Sequence, residues 1–364
     1  MSSRTIRQNF LFQIICWTLA ANLYMVARFI GLEDYDQFPL MEPMRYKLIF
    51  AQATLGGIIV GIILGTIDIF FARRPLRKRS FSFLVTTKGF IYIASIIIVI
   101  TGVRIVSDLT IDHMNLRETV HDMFTFYQQK FLISMLVCAL FVSFFVNFMK
   151  QVSQKFGPGI LVPMFLGKYY QPKKEERIFM FLDLRDSTTH AEKIGDVKYS
   201  ELMQDCFYDL ATQIEKHQAE IYQYVGDEAV LNWKVKNGIE DFNCLKIYFA
   251  FEQRLKSRSD HYISKYGFIP IFKAGVHGGH IIVAEIGEIK KEIAYHGDVL
   301  NTAARIQDQC NMHQKSLLIS EMLFHNWSDD EKRMSEFIFH QLGSVELKGK
   351  LSPVTIYSVE ANDS

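Results

Sequence analysis

Two short segments place carboxylates where a metal-bound nucleotide could be held. In the first, Arg177-Ile178-Phe179-Met180-Phe181-Leu182-Asp183-Leu184, the apolar run is too short for a helix. It reads as a buried strand with Asp183 near its C-terminal end. In the second, Glu220 to Trp233, two β-prone runs flank Gly226-Asp227, a pair suited to a two-residue hairpin turn with glycine at positive φ. A strand end beside a hairpin tip brings Asp183 and Asp227 together. Two carboxylates on a pair of Mg²⁺ ions can clamp an in-line phosphoryl displacement.

A third segment runs from Tyr295 to Ile306 and contains Gly297-Asp298-Val299-Leu300-Asn301-Thr302-Ala303-Ala304-Arg305. Asp298 is expected as a helix N-cap. Asn301 and Arg305 are four residues apart and share one helix face, where an amide and a guanidinium suit ribose and phosphate oxygens. With Leu347-Lys348-Gly349 near the C-terminus, these segments resemble the class III nucleotidyl cyclases (adenylate/guanylate cyclases) of the membrane-anchored bacterial type. The resemblance covers roughly residues 175 to 360. The family pattern is a strand ending in Asp, a Gly-Asp hairpin, G-x-x-x-N-x-A-[AS]-R on a helix, and a late phosphate-binding lysine. All four occur in that order.

The resemblance implies an α+β fold, with a ferredoxin-like βαββαβ palm as the catalytic domain. It implies conversion of a nucleoside triphosphate to its 3′,5′-cyclic monophosphate and pyrophosphate. Asp183 and Asp227, with the Leu184 carbonyl, would hold two divalent ions, Mg²⁺ or Mn²⁺. One ion would acidify the ribose 3′-hydroxyl and the other would neutralise the triphosphate. Arg305 would stabilise charge on the transferring phosphoryl group, Asn301 would orient the ribose, and Lys348 would contact the terminal phosphates. In the family the metal carboxylates and the Asn/Arg pair of one site come from different chains, which implies a homodimer with shared active sites.

The chain departs from the family at the base-reading positions. Adenylate cyclases typically carry Lys four residues before the second metal Asp, and Asp or Thr three before the Gly of the Asn/Arg motif; guanylate cyclases use Glu and Cys. Here Gln223 and Ala294 stand there. A Gln amide donates and accepts, so it can pair with either purine. ATP is the expected substrate and GTP the alternative. Asp186 replaces the Gly usual three residues after the first metal Asp, and an extra carboxylate there would either repel a triphosphate or help hold a metal. A degenerate nucleotide-binding sensor is disfavoured, because both metal carboxylates and the Asn/Arg pair are present.

The elements before the catalytic region are of another kind. Apolar runs at about residues 10–30, 48–71, 84–106 and 131–148 are each long enough to cross a bilayer. The first is not read as a signal peptide, since Gln13, Asn22 and Arg28 interrupt it. Arg4 and Arg7 precede the first run, and Arg73, Arg74, Arg77, Lys78 and Arg79 lie between the second and third; the other two loops are mainly acidic. This charge bias puts both termini and the catalytic domain in the cytoplasm, anchored in a cell (inner) membrane. The whole-chain net charge of +1 hides the segregation, and no basic patch points to nucleic acid. Gly57, Gly61 and Gly65 form a small-xxx-small stripe that serves either packing within the bundle or contact between chains. The expected organisation is a membrane domain over 1–149, a short Gly/Pro-containing linker over 150–176, and a catalytic domain over 177–364. Five scattered cysteines without CxxC spacing suggest reduced thiols.

Overall fold

The computed structural model describes residues 3–27, 43–71, 81–111, 113–115, 117–121, 130–156, 163–164, 166–289, 291–327, 335–346 and 353–362. The chain divides into two compact units, Met1–Lys155 and Phe156–Ser364.

The first unit contains four long helices: α1 (Ser3–Ala27), α2 (Pro43–Phe71), α3 (Phe81–Thr110) and α4 (Lys130–Phe156). By length and composition each is apolar enough to cross a membrane, over Phe10–Ala27, Lys47–Phe70, Thr86–Thr110 and Ile133–Lys150. The fourth helix continues beyond residue 149, where the sequence suggested the membrane unit would stop. Leu23, Ile98, Phe141 and Phe144 are exposed, a surface that suits hydrocarbon better than water. Inside, Trp17, Val60, Leu64, Tyr92, Ile96 and Val99 pack together, with Ala139 and Val142 against them.

The glycine stripe of α2 lies against α1. A Cβ on Gly57 would sit 2.7 Å from Thr18 Cα, and one on Gly61 would sit 2.5 Å from Ile14 Cα. Close approach within one chain therefore explains these two glycines. One carboxylate ties all four helices together. Asp68 of α2 accepts from Gln13 of α1 (2.6 Å), and from Tyr92 (2.6 Å) and Lys88 (3.0 Å) of α3, and pairs with Lys150 of α4. The basic residues 73–79 that follow α2 lie outside the described residues. Arg104 pairs with Asp108 at 3.0 Å.

The second unit is α+β. Its elements are β1 (Lys173–Leu184), α5 (Ser187–Ile194), α6 (Asp196–Ile214), β2 (Glu220–Val225), β3 (Glu228–Lys234), α7 (Asn243–Lys256), α8 (Ser259–Tyr266), β4 (Phe272–Ile286), β5 (Glu292–His296), α9 (Asp298–Met312), β6 (Leu317–Ser320), β7 (Phe337–Val345) and β8 (Val354–Ala361). The sheet order is β2-β3-β1-β4-β6-β8-β7, with β5 on β4. The first four strands, with α6 and α7 as crossovers, are the expected ferredoxin-like βαββαβ arrangement, and the remaining elements extend it.

Period-two alternation in β1 decides the layers. Ile178, Met180 and Leu182 join Leu202, Cys206 and Leu210 of α6 and Leu245 and Phe251 of α7 in the main core. Phe179 points to the other face, where it packs with Val230, Tyr295, Val299 and Ala303 beneath α9. The helical layer carries its own charges. Buried Asp209 of α6 takes hydrogen bonds from Arg254 (3.1 Å), Tyr262 (2.7 Å) and Arg258.

Candidate active site

Asp183 continues the alternation of Phe179 and Phe181, so it lies on the α9 face at the end of β1, cross-strand from Glu228. The β2–β3 turn is the two-residue hairpin expected, with Val225 paired to Glu228 and Gly226 at φ 62°. Asp227 does not share the positive φ, which matches a type II′ turn rather than type I′. The turn thus sets Asp227 beside Asp183, and their electrostatics register it. Burial and then the Asp227 charge raise the Asp183 carboxyl above its ordinary value, against Lys273 and Gln307. Glu228 is pushed up to about 7 by burial and by the charges of Asp183, Asp227 and Asp308.

Motif reading missed the residues that hold this pair. Lys273 Nζ lies 3.3 Å from Asp183 Oδ2, and Gln307 Nε2 donates to the same oxygen at 3.1 Å. Tyr199 lies near Asp227: burial and then the Asp227 charge push its phenol up to about 12. Signals for some of them existed. Lys273 interrupts an apolar strand, and Glu228 follows the turn directly. Gly275 lets α9 reach the sheet here, since a Cβ on it would fall 2.2 Å from the Gln307 nitrogen.

The α9 helix separates its functional side chains by direction. Its buried side holds Val299, Thr302, Ala303, Ile306, Gln307 and Cys310. Asn301 is exposed and Arg305 half-buried, on one face as expected. Arg305 precedes Gln307 by two residues, about 200° around the helix. Because Gln307 reaches Asp183, Arg305 leaves the helix on nearly the opposite side from the Asp183 of its own chain. Asp298 is not the N-cap. It is the first helical residue, Gly297 takes the cap position, and the Asp298 carboxylate accepts from Thr302 Oγ1 at 3.3 Å.

Gln223 is exposed and opposite Val230, just past a bulge at Tyr222. Ala294 is buried and opposite Ala284, so by register it faces away from Tyr295 and the Phe179 cluster. Within one chain the two base-reading positions thus lie on opposite sheet faces. Leu184 is buried at the strand end. Asp186 has φ 55° and ψ 31°, a left-handed backbone that glycine adopts freely and Asp tolerates; this accounts for glycine at the equivalent family position. Lys348 lies outside the described residues.

The carboxylates around Asp183 form a hard oxygen donor set short of cations, which suits Mg²⁺ or Mn²⁺. Among the described residues no three carboxylate, imidazole or thiolate groups converge closely enough to hold an ion by themselves. Asp183 and Asp227 would need a carbonyl, water or substrate phosphates to complete the shell.

Residues 169–361 match the family described as the adenylate and guanylate cyclase catalytic domain, and the chain belongs to that family. It is 32% identical over 232 residues to Adenylate cyclase 2 of Rhizobium meliloti (strain 1021), which covers 63% of this chain and 62% of that protein. It is 23% identical over 188 residues to an adenylate cyclase of Anabaena cylindrica, covering 50% of this chain and 36% of that one. The chain therefore spans less than two thirds of either relative. A solved bacterial light-regulated adenylyl cyclase superimposes over 64% of this chain and 67% of its own, with a TM-score of 0.53 and 16% identity, which shows a common fold.

Proposed function

We propose that this protein is a membrane-anchored adenylate cyclase that converts ATP to 3′,5′-cyclic AMP and pyrophosphate in a homodimer. The observation that carries the reading is the opposition of Asp183 and Asp227 at the strand end and hairpin tip, with Asp183 held by Lys273 and Gln307 and the pair short of positive charge. Two divalent ions bound there would supply acidification of the ribose 3′-hydroxyl and neutralisation of triphosphate charge. Asp183 and Asp227 hold them, with the Leu184 carbonyl as a further donor. Gln307 and Lys273 fix the orientation of the Asp183 carboxylate. Asn301 orients the ribose, Arg305 stabilises charge developing on the transferring phosphoryl group, and Lys348 contacts the terminal phosphates.

Sharing of each site between two copies is supported by the direction of Arg305, which leaves α9 away from its own chain's Asp183. Gln223 of one copy and the carboxylates of the other would then enclose one nucleotide. The anchor is supported by four apolar helices, and cytoplasmic termini by the basic residues around 73–79. GTP is the second reading, because the Gln223 amide can serve either purine.

The test is full-length protein in lipid nanodiscs with Mg²⁺ or Mn²⁺, given ATP and GTP separately, with products identified. Cyclic AMP as the main product is expected, and absence of any cyclic nucleotide would overturn the proposal. Shared sites are tested by co-expressing Asp183→Ala and Arg305→Ala. Random pairing makes about half the dimers mixed, each with one intact site, so activity should return to roughly a quarter of wild type. A mixture as inactive as each single variant would exclude sharing.

A further inference from the structure

The four-helix unit forms a partly open cavity of about 310 Å³ lined by all four of its helices. Its walls are largely apolar, with small residues such as Ala20, Ala53, Gly56 and Ala139 among larger ones such as Trp17, Ile96 and Val99. Large side chains at similar levels, such as Leu19, Leu23, Leu55 and Ile98, are exposed instead. Gly56 differs from the neighbouring Gly57: a Cβ added to Gly56 meets nothing within 4 Å, whereas one on Gly57 would collide with α1. Packing of α2 on α1 therefore does not account for Gly56, which borders open space.

One end of the cavity is polar and internally compensated. Gln52 Nε2 donates to Ser107 Oγ at 2.8 Å, and Arg104, which lines the cavity, is paired with Asp108 at 3.0 Å. Tyr24 also lines this end, its hydroxyl 2.5 Å from Ser134 Oγ. Such a surface offers hydrogen bonds to an oxygen without leaving a formal charge for an ionic ligand. Trp17 lines the wall seven residues before Tyr24, about 10 Å along the helix axis. A cavity of about 150 Å³ accepts benzene, so this one accommodates roughly 10–12 non-hydrogen atoms.

We propose that this cavity binds an uncharged lipophile of that size, an alcohol or ketone, with its oxygen at Gln52, Ser107 and Tyr24 and its chain along Trp17 and Gly56. The site is independent of the proposed reaction and is tested without turnover. Trp17 is the single tryptophan among residues 1–155; the other two, Trp233 and Trp327, are buried in the catalytic unit. The probe is 10-bromodecan-1-ol, whose bromine quenches a contacting indole, added to full-length protein in nanodiscs. Saturable quenching is expected, competed by 1-decanol, with apparent affinity reduced at least tenfold in Gly56→Leu, which fills the cavity. Gly102→Leu should retain it, because that glycine also has nothing within 4 Å of an added Cβ but lies outside the cavity lining. Quenching that rises linearly without saturation would show a probe merely dissolved in the bilayer and would overturn the proposal. Saturable quenching unchanged in Gly56→Leu would overturn it equally, by placing the probe elsewhere.

Discussion

Asp68 in the helical unit and Asp183 in the catalytic unit are both partly buried carboxylates fed by long-range partners, yet their surroundings differ in sign. Asp68 is met by two ammonium groups, a phenol and an amide, one or more from each other helix. Asp183 is met by one lysine and one amide, while Asp227, Glu228 and Asp308 add negative charge to the same neighbourhood. A carboxylate surrounded by its own counter-ions holds a fold together. One left short of them is stabilised by a cation from outside. Asp209 shows that the distinction is local rather than a property of either unit, since it lies in the catalytic unit and is fully compensated by Arg254, Arg258 and Tyr262.

The largest effect should come from the uncompensated pair. Asp227→Ala and Asp183→Ala should each reduce turnover on the order of 10³-fold or more by removing a metal ligand. Metal-free stability should stay level or rise, because each change relieves repulsion among like charges. Turnover and thermal melting in EDTA measure both. A folded Asp227→Ala protein retaining a tenth of wild-type activity would refute the assignment, and a strongly lowered melting temperature would put Asp227 with the structural carboxylates.

Asp209→Ala should behave in the opposite way, leaving two guanidinium groups short of a buried counter-charge. Breaking a buried pair from one side typically costs about 3–5 kcal/mol, and the loss should appear as lowered chemical-denaturation stability of the catalytic unit. A loss under about 1 kcal/mol would show that the cluster is solvated and the contrast with Asp183 overstated.

Much of this was legible in the sequence where the determinant is local. The Gly226-Asp227 turn follows from two residues between β-prone runs, and the α9 face of Asn301 and Arg305 follows from helical spacing. The four apolar helices follow from length and composition. What escaped depends on chain segments that meet only in three dimensions. Gln307 reaches Asp183 across 124 positions, and Arg258 reaches Asp209 across 49. Asp205 and Asp209 lie one turn apart beside the apolar stripe of α6, which signals buried carboxylates needing partners but does not say which arginines arrive. The start of α9 differs by one residue from the Asp298 N-cap expected, because Gly297 takes the cap position.

A smaller effect tests compensation through pH. Burial, with the Lys216 and Lys246 charges, holds the His217 imidazole down to about 4 from an ordinary 6.5. Between those values the unfolded chain binds more protons than the folded one, so this group's contribution to stability is lost as pH falls from 6.5 toward 4. The loss is on the order of 2–3 kcal/mol. Glu228 acts with the opposite sign, since its raised folded value favours the folded state as pH falls from 7 to 4.5. The measurement is therefore the difference between wild type and His217→Phe in EDTA across this range. If the two stability curves stay parallel, His217 is not held neutral.

The smallest expected effect concerns the base. Gln223 lies exposed on the sheet face of Phe181 and Val230, and Ala294 is buried with no polar atom in its side chain, on the opposite face. One chain does not present both to a single purine, so discrimination between ATP and GTP should be weak; one well-made contact decides only about 1–3 kcal/mol. Gln223→Lys with Ala294→Asp supplies the adenine-reading pair of the family and should raise the ATP preference in kcat/KM about tenfold if both positions approach the base in the dimer. Gln223→Glu with Ala294→Cys should move it toward GTP. Ala294→Asp places a carboxylate at a site only 7% exposed, so its stability cost is measured in parallel to separate misfolding from altered reading. If Gln223→Lys alone shifts the ratio as far as the double variant, Gln223 reads the base by itself and Ala294 is core. If neither double variant moves the ratio, the purine is read by other groups, and the strand of Gln223 contributes only the turn that carries Asp227.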